Sequence, residues 1–408
     1  MTYFESNRKE DCCGCRACQN ICPKDALHLV IDEEGFFYPV KNEKCIDCRL
    51  CEKVCPYNLI NVSKEEEKQA SLSADYPLAF ATYAREERIG SSSGGIFYVL
   101  AKHIIDKGGF VYGAAFDESF QLYHIAARTI EELQPIRGSK YLQSNIGVTF
   151  REIKKLLLVG EYVFFSGTPC QVAGLKSYLQ KEYDRLLTAD LICHGTPSQW
   201  MFDQHKAYLE QKYGGMLSSY HFRNEEGWGG CEIIDFTNPK NGKTKHVINA
   251  TYELSPYQYS FINSYTYRLS CYECLFAKVP RQGDITLGDF WGVKQVFPNI
   301  DTKKGVSAIL INTPKGNEVW KQVKMYTEFE QTDYMAIAVR NKNLVTFTKK
   351  PVIREKVFEM IRERGYADVA MKEFRHPNHR KIFVKEWLKQ QYFFYPLLRI
   401  FRILRGIK

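Results

Sequence analysis

The chain has 408 residues, 45% hydrophobic and 25% charged, enough for two or three globular domains rather than one core. No apolar run is long enough for a spanning helix, and the first ten residues contain no secretion-type apolar segment, so a cytoplasmic protein is expected. The formal charge of +9 is concentrated at one end, where Lys372 to Lys408 carry ten Lys or Arg against two acids. That distribution argues against general nucleic-acid binding.

Fourteen cysteines in a reducing compartment point to metal or redox chemistry rather than disulfides, and nine of them fall between Cys12 and Cys55. Residues 1–60 hold two copies of Cys-x2-Cys-x2-Cys-x3-Cys-Pro, one starting at Cys12 and one at Cys45. A cubane of iron and sulfide takes three thiolates from such a loop. In bacterial two-cluster ferredoxins the fourth crosses to the other cluster. The crossed assignment is Cys12, Cys15, Cys18 and Cys55 for one 4Fe–4S cluster, and Cys45, Cys48, Cys51 and Cys22 for the second. Paired Cys-x2-Cys alone would suit zinc equally well, but the duplicated Cys-Pro favours iron–sulfur. Cys13 reads as a spare thiol. Residues 26–40 between the copies read as a short hairpin turning near Glu34-Gly35. The module resembles the dicluster ferredoxin fold.

A polar linker is expected at 61–75. From 76 to about 315 strands and helices alternate, predicting a mixed α/β domain and an α+β or α/β chain overall. Residues 96–107 have helical periodicity and stop at Gly108-Gly109, and 110–116 read as a buried strand. Residues 162–165 predict a second strand, followed by a Ser166-Gly167-Thr168-Pro169 turn and a helix over 170–179. A third strand over 187–192 runs into Cys193-His194-Gly195. Parallel strands would bring Cys170 and Cys193 to the carboxyl edge of one sheet, where α/β proteins place their sites. Cys271 and Cys274 can add two thiolates from one turn. A third 4Fe–4S cluster, a zinc site, a catalytic Cys170 of lowered pKa and plain buried cysteines all fit that spacing. Cys231 has no obvious partner.

Ser91-Ser92-Ser93-Gly94-Gly95 opens the 96–107 helix, a place where backbone N–H groups can meet an anion. The same residues also cap helices that bind nothing. No GxGxxG follows a strand, so a standard nicotinamide domain is not expected. Residues 316–408 predict a helical C-terminal region. Its tail, 387–407, mixes aromatic and aliphatic residues with Arg399, Arg402 and Arg405. Such a tail suits either peripheral contact with a membrane surface or docking on protein, with Pro396 breaking any single helix.

The ordered series SSGG, GSKY, FSGTPCQVAGL, DLICHGTPS, CYEC and GDITLGDFWG resembles the coenzyme F420 hydrogenase/dehydrogenase beta-subunit family over residues 76–313. The resemblance implies FAD and a further 4Fe–4S cluster, the latter at Cys170, Cys193, Cys271 and Cys274. It also places Ser93, Gly94, Gly95, Lys140, Tyr141, Ser166 and Thr168 near the flavin. His194 and Tyr141 are the candidate proton donors. The expected function is an iron–sulfur flavoprotein oxidoreductase taking electrons from a ferredoxin-like donor to an unidentified substrate. An adapter serving a partner enzyme and a coenzyme F420-linked oxidoreductase are the competing readings. Relatives act on the deazaflavin coenzyme or on a chlorophyll hydroxymethyl group, so the resemblance leaves the substrate open.

Overall fold

The structure is a computed structural model that describes residues 2–58, 76–86, 88, 90–223 and 232–390. The expected linker at 61–75, Cys231 and the tail from 391 onward lie outside the described residues. Among those described, no helix is long and apolar enough to cross a membrane.

The N-terminal segment forms α1 (Ala17–Ile21), the hairpin β1 (Leu27–Ile31) and β2 (Phe37–Lys41), and α2 (Leu50–Lys53). The hairpin is antiparallel, with Leu27 opposite Lys41 and Ile31 opposite Phe37. Its turn closes through Gly35, whose φ of 81° favours a residue without Cβ.

The body is built from β3 (Leu78–Ala84), α3 (Ile96–Asp106), β4 (Phe110–Phe116), β5 (Leu122–Ala127), α4 (Thr149–Leu158), β6 (Val163–Gly167), α5 (Pro169–Leu179), β7 (Leu186–Leu191) and α6 (Gln199–Tyr213). After these come β8 (Met216–His221), β9 (Glu232–Thr237), β10 (Thr244–Asn249), α7 (Pro256–Ile262), β11 (Ile285–Asp289), β12 (Ser307–Ile311), α8 (Pro314–Val323) and β13 (Thr327–Thr332). An eight-stranded mixed sheet has the order β13-β3-β12-β11-β7-β6-β4-β5. Its central pairs β4–β6, β6–β7 and β7–β11 are parallel. The chain end is helical, with α9 (Val357–Arg364), α10 (Tyr366–Lys372) and α11 (His379–Gln390). The region expected to be helical also supplies β13, which pairs with β3 at the sheet edge, where its mostly exposed polar side chains are tolerated. A second, three-stranded antiparallel sheet joins β8, β9 and β10.

Alternation along β6 shows how the layers form. Phe164 enters the core beneath α3, while Val163 and Phe165 enter the opposite core beneath α4 and α5. Each such buried side chain contributes about 1.5–3 kcal/mol. The second core also takes in Cys13, Cys15, Ala17, Val54 and Tyr57, so the cysteine-rich segment is packed into one of the body's own layers. Polar contacts reinforce the seam. Ser177 donates to the Val54 carbonyl at 2.6 Å, and Arg151 donates to the carbonyls of Asn20, Gln19 and Cys22.

Candidate metal centres and cofactor cleft

The first cysteine loop turns through two left-handed residues, Gly14 and Arg16, with φ of 70° and 63°. The positive φ at Gly14 favours a residue without Cβ, and a Cβ there would displace the Gln143 amide, 2.6 Å away. The resulting fold brings Cys12, Cys15, Cys18 and Cys55 to the wall of one cavity. Cys22, Cys45, Cys48 and Cys51 line a second, with Pro23 beside them. Cys48, on the wall of this second cavity, is exposed. The two groups are those of the crossed assignment.

The body builds a third group. Cys170 stands in the first turn of α5, directly after β6, and Cys193 follows β7 two residues on. Because β6 and β7 are parallel, both emerge at the same sheet edge. A short turn, Leu269–Glu273, adds Cys271, with Cys274 just beyond it. All four line one cavity together with Cys13. Thr168 holds its hydroxyl 3.2 Å from the Cys170 sulfur. A nucleophilic Cys170 would need a lowered pKa. Its hydrogen bond with Cys13 and its burial instead push the thiol well up. Burial likewise raises Cys271 to about 11 and Cys274 to about 12. Uncharged, buried thiols of this kind become thiolates where a metal supplies the compensating charge. Among the described residues no three His, Cys, Asp or Glu side chains converge on a single-ion site. What the thiols share is the wall of a cavity.

Cys13, a spare thiol by spacing, is only 7% exposed and lines both the first and the third cavity, as does Tyr57. Its position next to Cys12 in the chain carries no hint of that placement. The relationship appears only when residues 12–18 dock on the start of α5.

Beyond the third cavity opens a cleft of about 400 Å³, within the size range of small-molecule and cofactor sites. Thr168, Cys193, His194, Gly195 and Thr196 line both spaces. The cleft wall includes Ser93, Gly95, Lys140, Tyr141, Ser166, Thr168 and His194. Gly94 stands behind it. A Cβ there would come within 2.4 Å of the Thr82 carbonyl oxygen, so Gly94 seats the loop on the sheet and takes no part in the wall. Gly95, at φ 84°, turns the chain into α3. The Ser93 hydroxyl oxygen is buried and lacks a hydrogen-bond partner among the described residues.

Lys140 differs from a free phosphate-binding cation. Its ammonium donates to the carbonyls of Pro135, Ile136 and Arg137 at 2.7, 2.9 and 2.8 Å, using all three hydrogens. Burial lowers its pKa to about 7. Its place in the structure is to tie the end of a short helical turn to the Gly138 loop. Thr168 caps α5 reciprocally with Gln171, whose side-chain oxygen accepts from the Thr168 amide at 3.0 Å.

Several cleft residues carry no sequence signal. His124 on β5 is buried between the Ser166 carbonyl at 3.0 Å and the Ser144 hydroxyl at 2.8 Å, and burial lowers its pKa to about 4. Arg223 pairs with Asp289 at the cleft wall, beside the Trp291 ring. Tyr141 stacks on Phe261 with ring centroids 4.6 Å apart and interplanar angle 23°. Burial lowers the pKa of His194, with Asp289 opposing that shift, which favours a neutral imidazole. Asp289 belongs to the GDFWG run that stood out in the sequence, whereas His124 sits in an ordinary alternating strand.

Two family models match the chain. Residues 160–336 match the C-terminal part of the beta subunit of coenzyme F420 hydrogenase/dehydrogenase, and residues 10–60 match the 4Fe–4S dicluster domain. No curated protein matches. The two matches give iron–sulfur electron transfer of the oxidoreductase type, with the dicluster domain at the N-terminal end.

Proposed function

We propose that this iron–sulfur protein, similar over residues 160–336 to coenzyme F420 hydrogenase beta subunits, is a flavin-dependent oxidoreductase taking electrons from a ferredoxin-like donor to a substrate in the cleft. The observation that carries the reading is the sharing of walls. The first thiol cavity meets the third at Cys13 and Tyr57, and the third meets the cleft at Thr168, Cys193, His194, Gly195 and Thr196.

Cys170, Cys193, Cys271 and Cys274 would hold a third 4Fe–4S cluster, and the cleft would hold FAD. When bound, the clusters supply one-electron chemistry and the flavin one- or two-electron chemistry. Ser93, with its unpartnered buried hydroxyl, and the start of α3 at Gly95 offer donors to an anionic group of a cofactor. The fit is one of donor type and space rather than of a free cation, since Lys140 is committed to carbonyls. His124, neutral at physiological pH, keeps the Ser166 and Ser144 edges of the wall in place. Desolvation favours the neutral form of His194, and Tyr141 presents a phenol on the cleft wall. Both can hold or pass a proton there. The exposed second cavity, at Cys48, is the entry side for an external donor.

The test is anaerobic purification with iron, sulfide and flavin quantified together, for wild type and Cys274→Ala. About twelve irons and one FAD, falling to about eight irons in the variant, support the reading. About eight irons in both and no flavin would leave the dicluster domain attached to a body of another purpose.

A further inference from the structure

Among the described residues, four arginines with buried side chains face a carboxylate. Arg88 pairs with Asp301, Arg223 with Asp289, Arg281 with Asp190, and Arg354 with Glu34. Arg268 differs from them. It is 1% exposed and has no ion-pair partner among the described residues. Its Nε donates to the Cys12 carbonyl at 2.6 Å, one Nη to the Gln143 side-chain oxygen at 3.2 Å, and the other to the Phe37 carbonyl at 2.9 Å. The guanidinium lies 4.3 Å from the centroid of the Tyr38 ring and 5.3 Å from that of Phe36. Every acceptor is neutral, yet a guanidinium keeps its charge in proteins. A buried charge of this kind is costly unless something of opposite sign lies close by.

The location identifies that something. The side chain touches the backbone of Cys12 and lines the cavity of Cys12, Cys15, Cys18 and Cys55. The backbone of the same residue accepts from the Cys271 amide at 2.9 Å and donates to the Thr196 carbonyl at 3.0 Å, so it also anchors the third thiol group. A four-thiolate 4Fe–4S cluster carries a charge of about −2 when oxidised and one more negative charge when reduced.

We infer that Arg268 is a built-in countercharge for the cluster at Cys12, Cys15, Cys18 and Cys55, whose reduction potential it raises. It is a positioning and tuning residue. It touches no reacting atom, and its effect comes from a fixed cation held close by neutral acceptors. One added electron makes the cluster more negative, so the nearby cation stabilises the reduced form more than the oxidised one. The inference rests on the iron–sulfur reading of these cysteines.

The experiment compares anaerobic wild type, Arg268→Gln and Arg268→Lys by iron and sulfide content and by redox titration followed with electron paramagnetic resonance. Arg268→Gln with wild-type iron should show a cluster signal whose reduction equilibrium falls about tenfold, 59 mV to lower potential for one electron. Arg268→Lys should recover most of that shift, since it keeps the charge. Loss of iron in Arg268→Gln but not in Arg268→Lys also supports the countercharge. Full iron with unchanged potentials in Arg268→Gln overturns the inference. Equal effects of the two variants overturn it as well, because they would assign the role to guanidinium shape. A wild type without iron ends the underlying iron–sulfur reading and the inference with it, an outcome the iron count alone reveals.

Discussion

Gly174 of α5 lies directly against Cys15 of the first cysteine loop, where a Cβ would come within 2.8 Å of the Cys15 Cβ and 2.9 Å of its sulfur. Helix and loop approach this closely because the helix offers nothing larger than hydrogen at the contact. The packing of the metal-binding segment on the body therefore depends on one absent methyl group. Gly174→Ala should push the loop away, destabilise the protein by about 1–3 kcal/mol and lower its iron content by up to about four per chain. Iron analysis with thermal unfolding checks it, and an alanine variant with unchanged iron and melting would show that the loop gives way freely.

Arg151 of α4 makes a second tie. It donates to the carbonyls of Asn20, Gln19 and Cys22, holding the stretch of chain that carries Cys22. The exposed pair with Asp25 adds little. Arg151→Ala should cost about 1.5–3 kcal/mol through the lost charge-assisted bonds and make the second thiol group lose iron first. A larger rise over wild type in the alkylation rate of Cys48 than in that of Cys271 after mild oxidation would locate the damage, whereas equal rises would argue against a local effect.

The unpartnered hydroxyl of Ser93 gives a prediction that separates binding from folding. Removing a buried hydroxyl that has no partner leaves stability nearly unchanged. Ser93→Ala should thus melt like wild type when both are free of cofactor and, on the proposal that the cleft holds FAD, retain several-fold less flavin after desalting. Equal retention would remove Ser93 from the cofactor wall.

His205 supplies a pH dependence away from the thiols. It is fully buried between the Tyr220 and Tyr366 hydroxyls, at 3.2 and 3.0 Å, and burial lowers its pKa to about 3 from 6.5. The unfolded chain takes up a proton at this residue below pH 6.5 while the folded chain resists until about pH 3, so stability falls as the pH drops through that window. Between pH 7 and pH 5 the loss from this group is about 2 kcal/mol. Denaturant unfolding at the two pH values should show a shallower difference in His205→Gln. An unchanged slope would exclude this histidine as the source.

Much of the architecture was legible because it is local. Residues 110–116 matched the observed strand, and the strands expected at 162–165 and 187–192 differ from β6 and β7 only at their ends. A parallel β6–β7 pair follows from the α5 helix between them, and it brings Cys170 and Cys193 to one edge. The edge strand β13 was missed, since a short exposed strand has little apolar pattern to distinguish it from a helix start. Lys140 was expected near a cofactor because the GSKY run is part of the family resemblance, but the amino-acid order cannot tell that three carbonyls take up its ammonium.

The spacing of the cysteines determined, without any structure, which residues share a loop, because three thiols within seven residues have few other places to be. It likewise marked residues 1–60 as an iron–sulfur unit, and residues 10–60 match the 4Fe–4S dicluster domain. Only the tertiary structure decided what surrounds those thiols. Cys13 lies between two cavities, and Arg268 reaches Cys12 across 256 positions of sequence. Chain-local geometry limits a turn to a few conformations, whereas the charge and burial around it are set by packing between distant segments. No local pattern encodes that packing.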